Sequence, residues 1–362
     1  MSRVLCHQGQ PVITDRPTAA GEARDVCIAI PARDEATELV GCLNAIAASR
    51  CSEPVVVLVF ANNCSDTTAD QALNWARRSA PEHLDLRVVE ETLPAGKAHA
   101  GEARARAMTR AREHVGIDGV VLSTDADSRP APGWVTDMID ALRGSDLVFG
   151  PVARRPGAID PRLSDYERLE QEALALQARI LQPDGNPQAH QQLSGASLGV
   201  TAKAWDRLGG LPAQASGEDR AFAEIARETG MRVSQPQIAP VFTSWRLAGR
   251  ASGGHAETLS ARLAEPDPYG DARIMRLSEL LSCAEILEGL AANGAGAWLM
   301  KYGIQSSALT PCATPWRVST CLRPASSTGA AALRMSEIKA MLPELRRLTG
   351  SKQPRGLKEA YS

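Results

Sequence analysis

Apolar residues come in short runs at 26–30, 55–60, 86–90 and 120–122, and stretches of helix-like periodicity separate them. Val55-Val56-Val57-Leu58-Val59-Phe60 is the clearest run. It is rich in β-branched residues and shows no polar alternation, as expected of a strand covered on both faces. After the first run, Leu39, Cys42, Leu43, Ile46 and Ala47 trace one helical face. Helices are also predicted over 69–76 and from the Gly96-Lys97 segment to about residue 113. This alternation predicts an α/β fold, a mostly parallel sheet flanked by helices.

Further along, the pattern predicts a helix to about residue 142, a strand at 146–150, a long helix over 163–182 and a β-leaning segment at 193–201. A short helix stopped by Gly209-Gly210 follows, then a helix over 216–229 and an edge strand within 233–241, where Pro236 and Pro240 suit an edge. Periodicity disappears between Thr243 and His255. It returns as helices over 274–291, 294–309 and 330–348. The expected organisation is a polar lead-in over 1–24, the α/β domain over 25–265, a helical C-terminal extension over 266–350 and a disordered tail over 351–362.

With 40 basic and 42 acidic residues the net charge is −2, so no global field favours nucleic acid or an anionic membrane. Aromatic content of 4% also disfavours base-stacking platforms. The eight cysteines form no Cys-x-x-Cys pair, and Cys27 lies within an apolar run, as a reduced cysteine does in a reducing compartment. The N-terminus lacks a signal-peptide pattern. No stretch approaches the roughly 20 apolar residues that span a bilayer. A cytoplasmic setting is expected, compatible with peripheral attachment to the inner face of the membrane.

Candidate chemistry sits where the runs end. The fourth run stops at Ser123-Thr124-Asp125-Ala126-Asp127. Two carboxylates there repel unless a cation relieves them, and Mg²⁺ or Mn²⁺ with phosphate oxygens suits such a pair. Ligands of open α/β sheets gather at these carboxyl ends, although an isolated Asp-x-Asp also suits a loop or a helix cap. Pro31, Arg33, Asp34 and Glu35 follow the first run. Asn62, Asn63, Ser65 and Asp66 follow the second, offering groups for a nucleobase and ribose or simply a helix cap. Gly96-Lys97 reads as an anion seat at a helix start, or as a surface lysine. Gly195 and Gly199 permit close backbone approach. Glu218 and Asp219 open a helix, an ordinary place for acids. Arg246, Arg250 and His255 share the aperiodic loop with three glycines, which reads as a functional loop or a surface connection.

In this order, over about residues 26–255, the motifs resemble the inverting family 2 glycosyltransferases of GT-A fold, which are Rossmann-like. Matching pieces are Pro31-Ala32-Arg33-Asp34-Glu35, residues 62–67, Gly96-Lys97, Asp125-Ala126-Asp127, Gly195-Ala196-Ser197 and Gly217-Glu218-Asp219. The resemblance implies metal-dependent transfer of a sugar from a nucleotide-diphosphate donor to an acceptor hydroxyl. It places Pro31, Arg33, Glu35, Asn62, Asn63 and Asp66 around the nucleoside and Lys97 near the nucleotide or its phosphates. Asp125 would meet ribose or metal, with Asp127 as the firmer ligand of Mg²⁺ or Mn²⁺, and Asp219 would be the catalytic base. Arg246 and Arg250 would close over the diphosphate, and His255 would complete the metal shell.

Asn62 and Asn63 stand where many members begin with aspartate, which leaves the donor nucleotide open. The Gln-x-x-Arg-Trp signature of processive synthases is absent, favouring single addition. The acceptor (saccharide, lipid-linked or small molecule) is not specified, and the C-terminal helices offer a surface for oligomerisation. Alternatives are a non-catalytic nucleotide-sugar-binding module and a sugar-nucleotide pyrophosphorylase. The latter usually carries a glycine-rich signature after the first strand, where this chain has Pro31-Ala32-Arg33.

Overall fold

The structure, a computed structural model, describes residues 3–6, 25–49, 51, 54–157, 160–182, 189–246, 255–293 and 332–350. The chain forms two compact units. The first comprises Met1–Gly157 with Gln192–Thr258, and the second Ala158–Gln191 with Leu259–Ser362. The long helix expected over 163–182 therefore belongs to the second unit rather than to the α/β domain.

In the first unit, β2 (Val26–Ala32), β3 (Val55–Asn62), β4 (Leu84–Glu91) and β5 (Val120–Ser123) form a parallel array in the order β4-β3-β2-β5. β1 (Arg3–Cys6) adds antiparallel to β4, a strand hidden in the polar lead-in. Beyond β5 come β9 (Leu198–Thr201), antiparallel, then β7 (Leu147–Phe149) and β10 (Val233–Ser234), giving an eight-stranded sheet. Only β1 and β9 oppose the other strands, so the sheet is mostly parallel.

Strand residues alternate between two cores because successive side chains leave opposite faces. Ile28, Ile30, Val57 and Val59 pack with α1 (Leu39–Ala47), α2 (Thr68–Ser79) and α4 (Trp134–Leu142). Cys27, Ala29, Leu58 and Phe60 pack with α3 (Ala100–Arg112), α6 (Ala202–Leu208) and α7 (Glu218–Glu228). Each fully buried Val, Leu, Ile or Phe among them contributes roughly 1.5–3 kcal/mol.

The sequence suggests that the first strand stops before Pro31, yet β2 continues through it to Ala32. β5 pairs with β2 only as far as Ala29, so Pro31 lies past the end of that neighbour, where a missing N–H does little harm. At this end of β5 the chain leaves the sheet and enters the turn that carries Asp125 and Asp127. A small sheet forms beside it: β11 (Val241–Thr243) lies between β6 (Arg129–Pro130), antiparallel, and β8 (Val152–Arg154), parallel.

The second unit is helical among its described residues. α5 (Pro161–Leu181), α9 (Leu277–Asn293) and α10 (Met335–Leu348) bury Leu174, Ile286, Ile338 and Leu345 together. Glu170 of α5 accepts from Arg262 of α8 (His255–Ala264) and from the Asp271 N–H. Gln177 clasps the Arg273 carbonyl and the Met275 N–H, both at 2.9 Å. The segments 294–309 and 351–362 lie outside the described residues.

Candidate active site

The strand-exit loops after β2 and β3 lock together first. Asp34 and Asn63 adopt left-handed backbone, with φ of 52° and 49°, a conformation that Asp and Asn tolerate better than most residues. Asp34 Oδ1 accepts from the Ser65 N–H at 2.6 Å and the Asp66 N–H at 3.2 Å. In return, Asp66 Oδ2 accepts from the Ala36 N–H at 3.0 Å, and the Glu35 N–H reaches Thr68 Oγ1 at 2.8 Å. Asp66 Oδ1 also takes the Thr68 hydroxyl and its N–H. Burial works against the ionised Asp66 carboxylate, but these donors outweigh it and hold its pKa below the usual value. Asp34, Cys64 and Asp66 bring possible ligand atoms within 4.8 Å of one another. Both carboxylates already accept backbone N–H groups, which is the arrangement of a loop clasp.

The remaining residues expected around a nucleoside and its phosphates divide by role. Asn62 is buried at the end of β3, and Pro31 is half-buried. Asn63 is committed to the chain after β4: its Nδ2 donates to the Leu93 carbonyl at 3.0 Å and its Oδ1 accepts the Leu93 N–H at 3.1 Å. Arg33 Nη1 donates to the Ala98 carbonyl at 3.2 Å, while its buried Nε has no partner among the described residues. Lys97 is exposed, on a 3₁₀ turn (Ala95–Lys97) that precedes α3 instead of on the helix itself. His99 caps α3, its Nδ1 accepting the Glu102 N–H.

Asp125 and Asp127 lie in a turn after β5, closed by the Ser128 N–H on the Asp125 carbonyl at 3.0 Å. The small sheet sets Ser244 and Arg246, which follow β11, against this turn. Asp127 Oδ2 accepts from Ser244 Oγ at 2.5 Å and Arg246 Nη2 at 2.7 Å. The Arg246 guanidinium also forks onto both Glu35 oxygens, at 2.7 and 3.0 Å. Burial weakens its charged form, and the two carboxylates more than compensate, so its pKa is raised. Arg250 lies outside the described residues, as does the side chain of His255, whose backbone opens α8.

The residues fit a divalent cation. Asp125 Oδ1 is taken by Arg104 and Asp127 Oδ2 by Ser244 and Arg246, while the second oxygen of each accepts no hydrogen bond among the described residues. The hydroxyls of Thr124 and Ser128, buried on the same turn, have no partner either. Two available carboxylate oxygens match what Mg²⁺ or Mn²⁺ takes from protein when phosphates fill the rest of its shell.

Arg104 is the residue that sequence reasoning missed. It projects from α3 with only 9% of its side chain exposed. It donates to Asp125 Oδ1 at 2.7 Å, Glu218 Oε1 at 3.1 Å, Ser123 Oγ at 3.0 Å and the Gly195 carbonyl at 2.8 Å. The Gly195 N–H in turn donates to Asp219 Oδ2 at 3.0 Å. Asp219 Oδ1 accepts the Arg220 N–H at 2.7 Å. Gly217 turns the chain into α7 with φ of 76°, where a side chain would be strained. One buried cation thus ties the Asp125 turn to the Glu218-Asp219 pair. Its sequence signal is an arginine set among the apolar residues Ala103, Ala107 and Met108 at helical spacing.

Residues 27–196 match the family model described as Glycosyl transferase family 2. A search of curated protein sequences finds no match. Among solved structures, the chain is similar to the mannosyltransferase PcManGT from Pyrobaculum calidifontis in complex with GDP-Man and Mn²⁺, at 20% identity and TM-score 0.48, over 91% of this chain and 82% of that one. It is similar to S. aureus TarS 1-349 in complex with UDP-GlcNAc, at 16% identity and TM-score 0.48, over 90% of each chain. A third is glucosyl-3-phosphoglycerate synthase from Mycobacterium tuberculosis in complex with Mg²⁺ and UDP, at 16% identity and TM-score 0.42, over 79% of this chain and 82% of that one.

Proposed function

Because residues 27–196 match the glycosyl transferase family 2 model, we propose that the chain belongs to that family and catalyses single, inverting transfer of a sugar from a nucleotide-diphosphate donor to an acceptor hydroxyl. The observation that carries this reading is the convergence of Asp125 and the Glu218-Asp219 pair on Arg104, from segments far apart in sequence. A donor-side carboxylate and a candidate base are thereby held in one site.

Asp127 and Asp125 would hold Mg²⁺ or Mn²⁺ through their available oxygens. Bound there, the cation would supply positive charge to the departing diphosphate, commonly the dominant form of stabilisation in such reactions. Glu35, Asn62 and Arg33 lie on the donor side, as does the loop clasp built on Asp34 and Asp66. Pro31, Asn63 and Lys97 keep their proposed places around the nucleotide, with Asn63 acting through the Leu93 segment that it holds. Arg246 is ready to move its fork from Asp127 and Glu35 to the diphosphate, with Arg250 and His255 in the same proposed closing segment. Asp219 accepts the acceptor hydroxyl's proton, its carboxylate aimed by the Gly195 and Arg220 N–H groups. The sugar's bond to the phosphate oxygen breaks with its electron pair leaving on the diphosphate. The acceptor oxygen bonds to the anomeric carbon from the opposite face, so a single displacement inverts it.

No helix among the described residues is long and apolar enough to cross a membrane. The proposed setting is the cytoplasm, with a soluble or membrane-surface acceptor. The test is a panel of UDP- and GDP-sugars screened for Mn²⁺-dependent thermal stabilisation, followed by NMR of the product's anomeric configuration. Stabilisation with inverted product supports the reading, and retained configuration refutes the single displacement. Binding without turnover across the acceptor panel would favour a nucleotide-sugar-binding module.

A further inference from the structure

Arg104 is built into this site, with only 9% of its side chain exposed. Its three nitrogens make four hydrogen bonds, reaching the end of β5, the Asp125 turn, the Gly195 carbonyl and the first turn of α7. Desolvation opposes its charge, yet Asp125 and Glu218 hold the guanidinium firmly protonated. A planar fork can serve several acceptors in fixed directions, whereas an ammonium on a flexible stem serves them as a point charge.

Gly195 supplies an independent observation. A Cβ built on this residue would lie 2.4 Å from Arg104 Nε and 2.5 Å from Cζ. The glycine is therefore fitted to the arginine, and its peptide relays the arginine's position. Its carbonyl accepts from Arg104 while its N–H orients Asp219.

We infer that Arg104 is a positioning residue for the transfer reaction. It acts through Asp125 on the donor side and through Glu218 and the Gly195 backbone on Asp219, fixing the proton acceptor relative to the donor carboxylate. This inference rests on the glycosyltransferase reading for its chemistry, but its geometry is testable without substrate.

Two experiments decide it. In the first, Arg104→Lys is assayed for Mn²⁺-dependent hydrolysis of the nucleotide sugars, with binding-competent sites counted by titration with Mn²⁺–UDP and Mn²⁺–GDP. The expected result is a loss of at least tenfold in kcat per competent site, with nucleotide affinity within threefold of wild type. A purely structural arginine would lower the number of competent sites and leave kcat per site unchanged, which would overturn the inference. In the second, thermal midpoints are compared for Gly195→Ala, Arg104→Ala and the double variant. The Gly195→Ala penalty should fall by at least half when Arg104 is absent. An unchanged penalty would overturn the linkage. If the wild-type protein neither binds nor hydrolyses these nucleotides, the proposed function fails, and the thermal cycle still decides whether Arg104 and Gly195 are coupled.

Discussion

Arg246 donates to Asp127 at 2.7 Å while its guanidinium forks onto Glu35, so a single side chain after β11 counter-charges carboxylates that follow β5 and β2. The arginine lies where an incoming cation would also relieve the repulsion between acids. Charge-assisted bonds of this kind contribute roughly 1.5–3 kcal/mol. If Asp127 holds a metal as proposed, Arg246 would oppose that cation through its charge until a nucleotide diphosphate offered the guanidinium another partner.

Arg246→Ala is expected to bind Mn²⁺ about tenfold more tightly in the absence of nucleotide, the smaller of those energies converted to affinity. Turnover of donor should nevertheless fall, because the diphosphate loses its arginine. Free Mn²⁺ followed by electron paramagnetic resonance, beside steady-state hydrolysis, checks both outcomes.

Asp127→Asn should abolish the Mn²⁺-dependent part of the nucleotide's thermal stabilisation. A ligand at about 100 times its Kd stabilises by roughly 2.7 kcal/mol, so the loss is readily measured. The metal-free melting temperature should change little, since Ser244 and Arg246 can still donate to the amide oxygen.

Asp219→Asn should lower kcat by roughly 10²–10⁴-fold, the usual contribution of a positioned general base. Donor affinity should stay within about threefold of wild type, because the Asp219 oxygens accept their bonds from the Gly195 and Arg220 N–H groups. Single-turnover kinetics beside calorimetric titration separates the two quantities.

Asp66 makes a pH prediction. Its folded-state pKa is lowered: burial raises it, and the hydrogen bonds from Thr68 and Ala36 outweigh that effect. Its stabilising contribution is therefore fully present above its ordinary value of 3.8 and is lost as pH falls through the lower folded value. The gap in melting temperature between wild type and Asp66→Asn should be widest near neutrality and close progressively below about pH 4.

What the sequence reveals here follows the range of the interactions. The run at 55–60 and the helical face of Leu39, Cys42, Leu43 and Ile46 are local patterns, and β3 and α1 appear where those patterns lie. Asp125 and Asp127 are conspicuous because an apolar strand stops at them. The small sheet is not legible, since two- and three-residue strands such as β6 and β11 cannot display a period. Arg104 is hidden for another reason: its partners Gly195 and Glu218 are 91 and 114 residues away, and nothing beside it announces them. Lys97 shows the limit of a local rule, because the helix expected to begin at its segment starts at Ala100, leaving the lysine on an exposed turn.

The central claim is that a cation held at Asp127 and a proton acceptor at Asp219 serve one displacement. Release of nucleoside diphosphate from a UDP- and GDP-sugar panel, measured with Mn²⁺ and with EDTA in wild type, Asp127→Asn and Asp219→Asn, tests it most directly. The account predicts turnover of at least one donor by wild type with Mn²⁺, its loss in EDTA and in Asp127→Asn, and a loss in Asp219→Asn despite retained nucleotide binding. Turnover that persists at the wild-type rate in EDTA, or in Asp219→Asn, would contradict it.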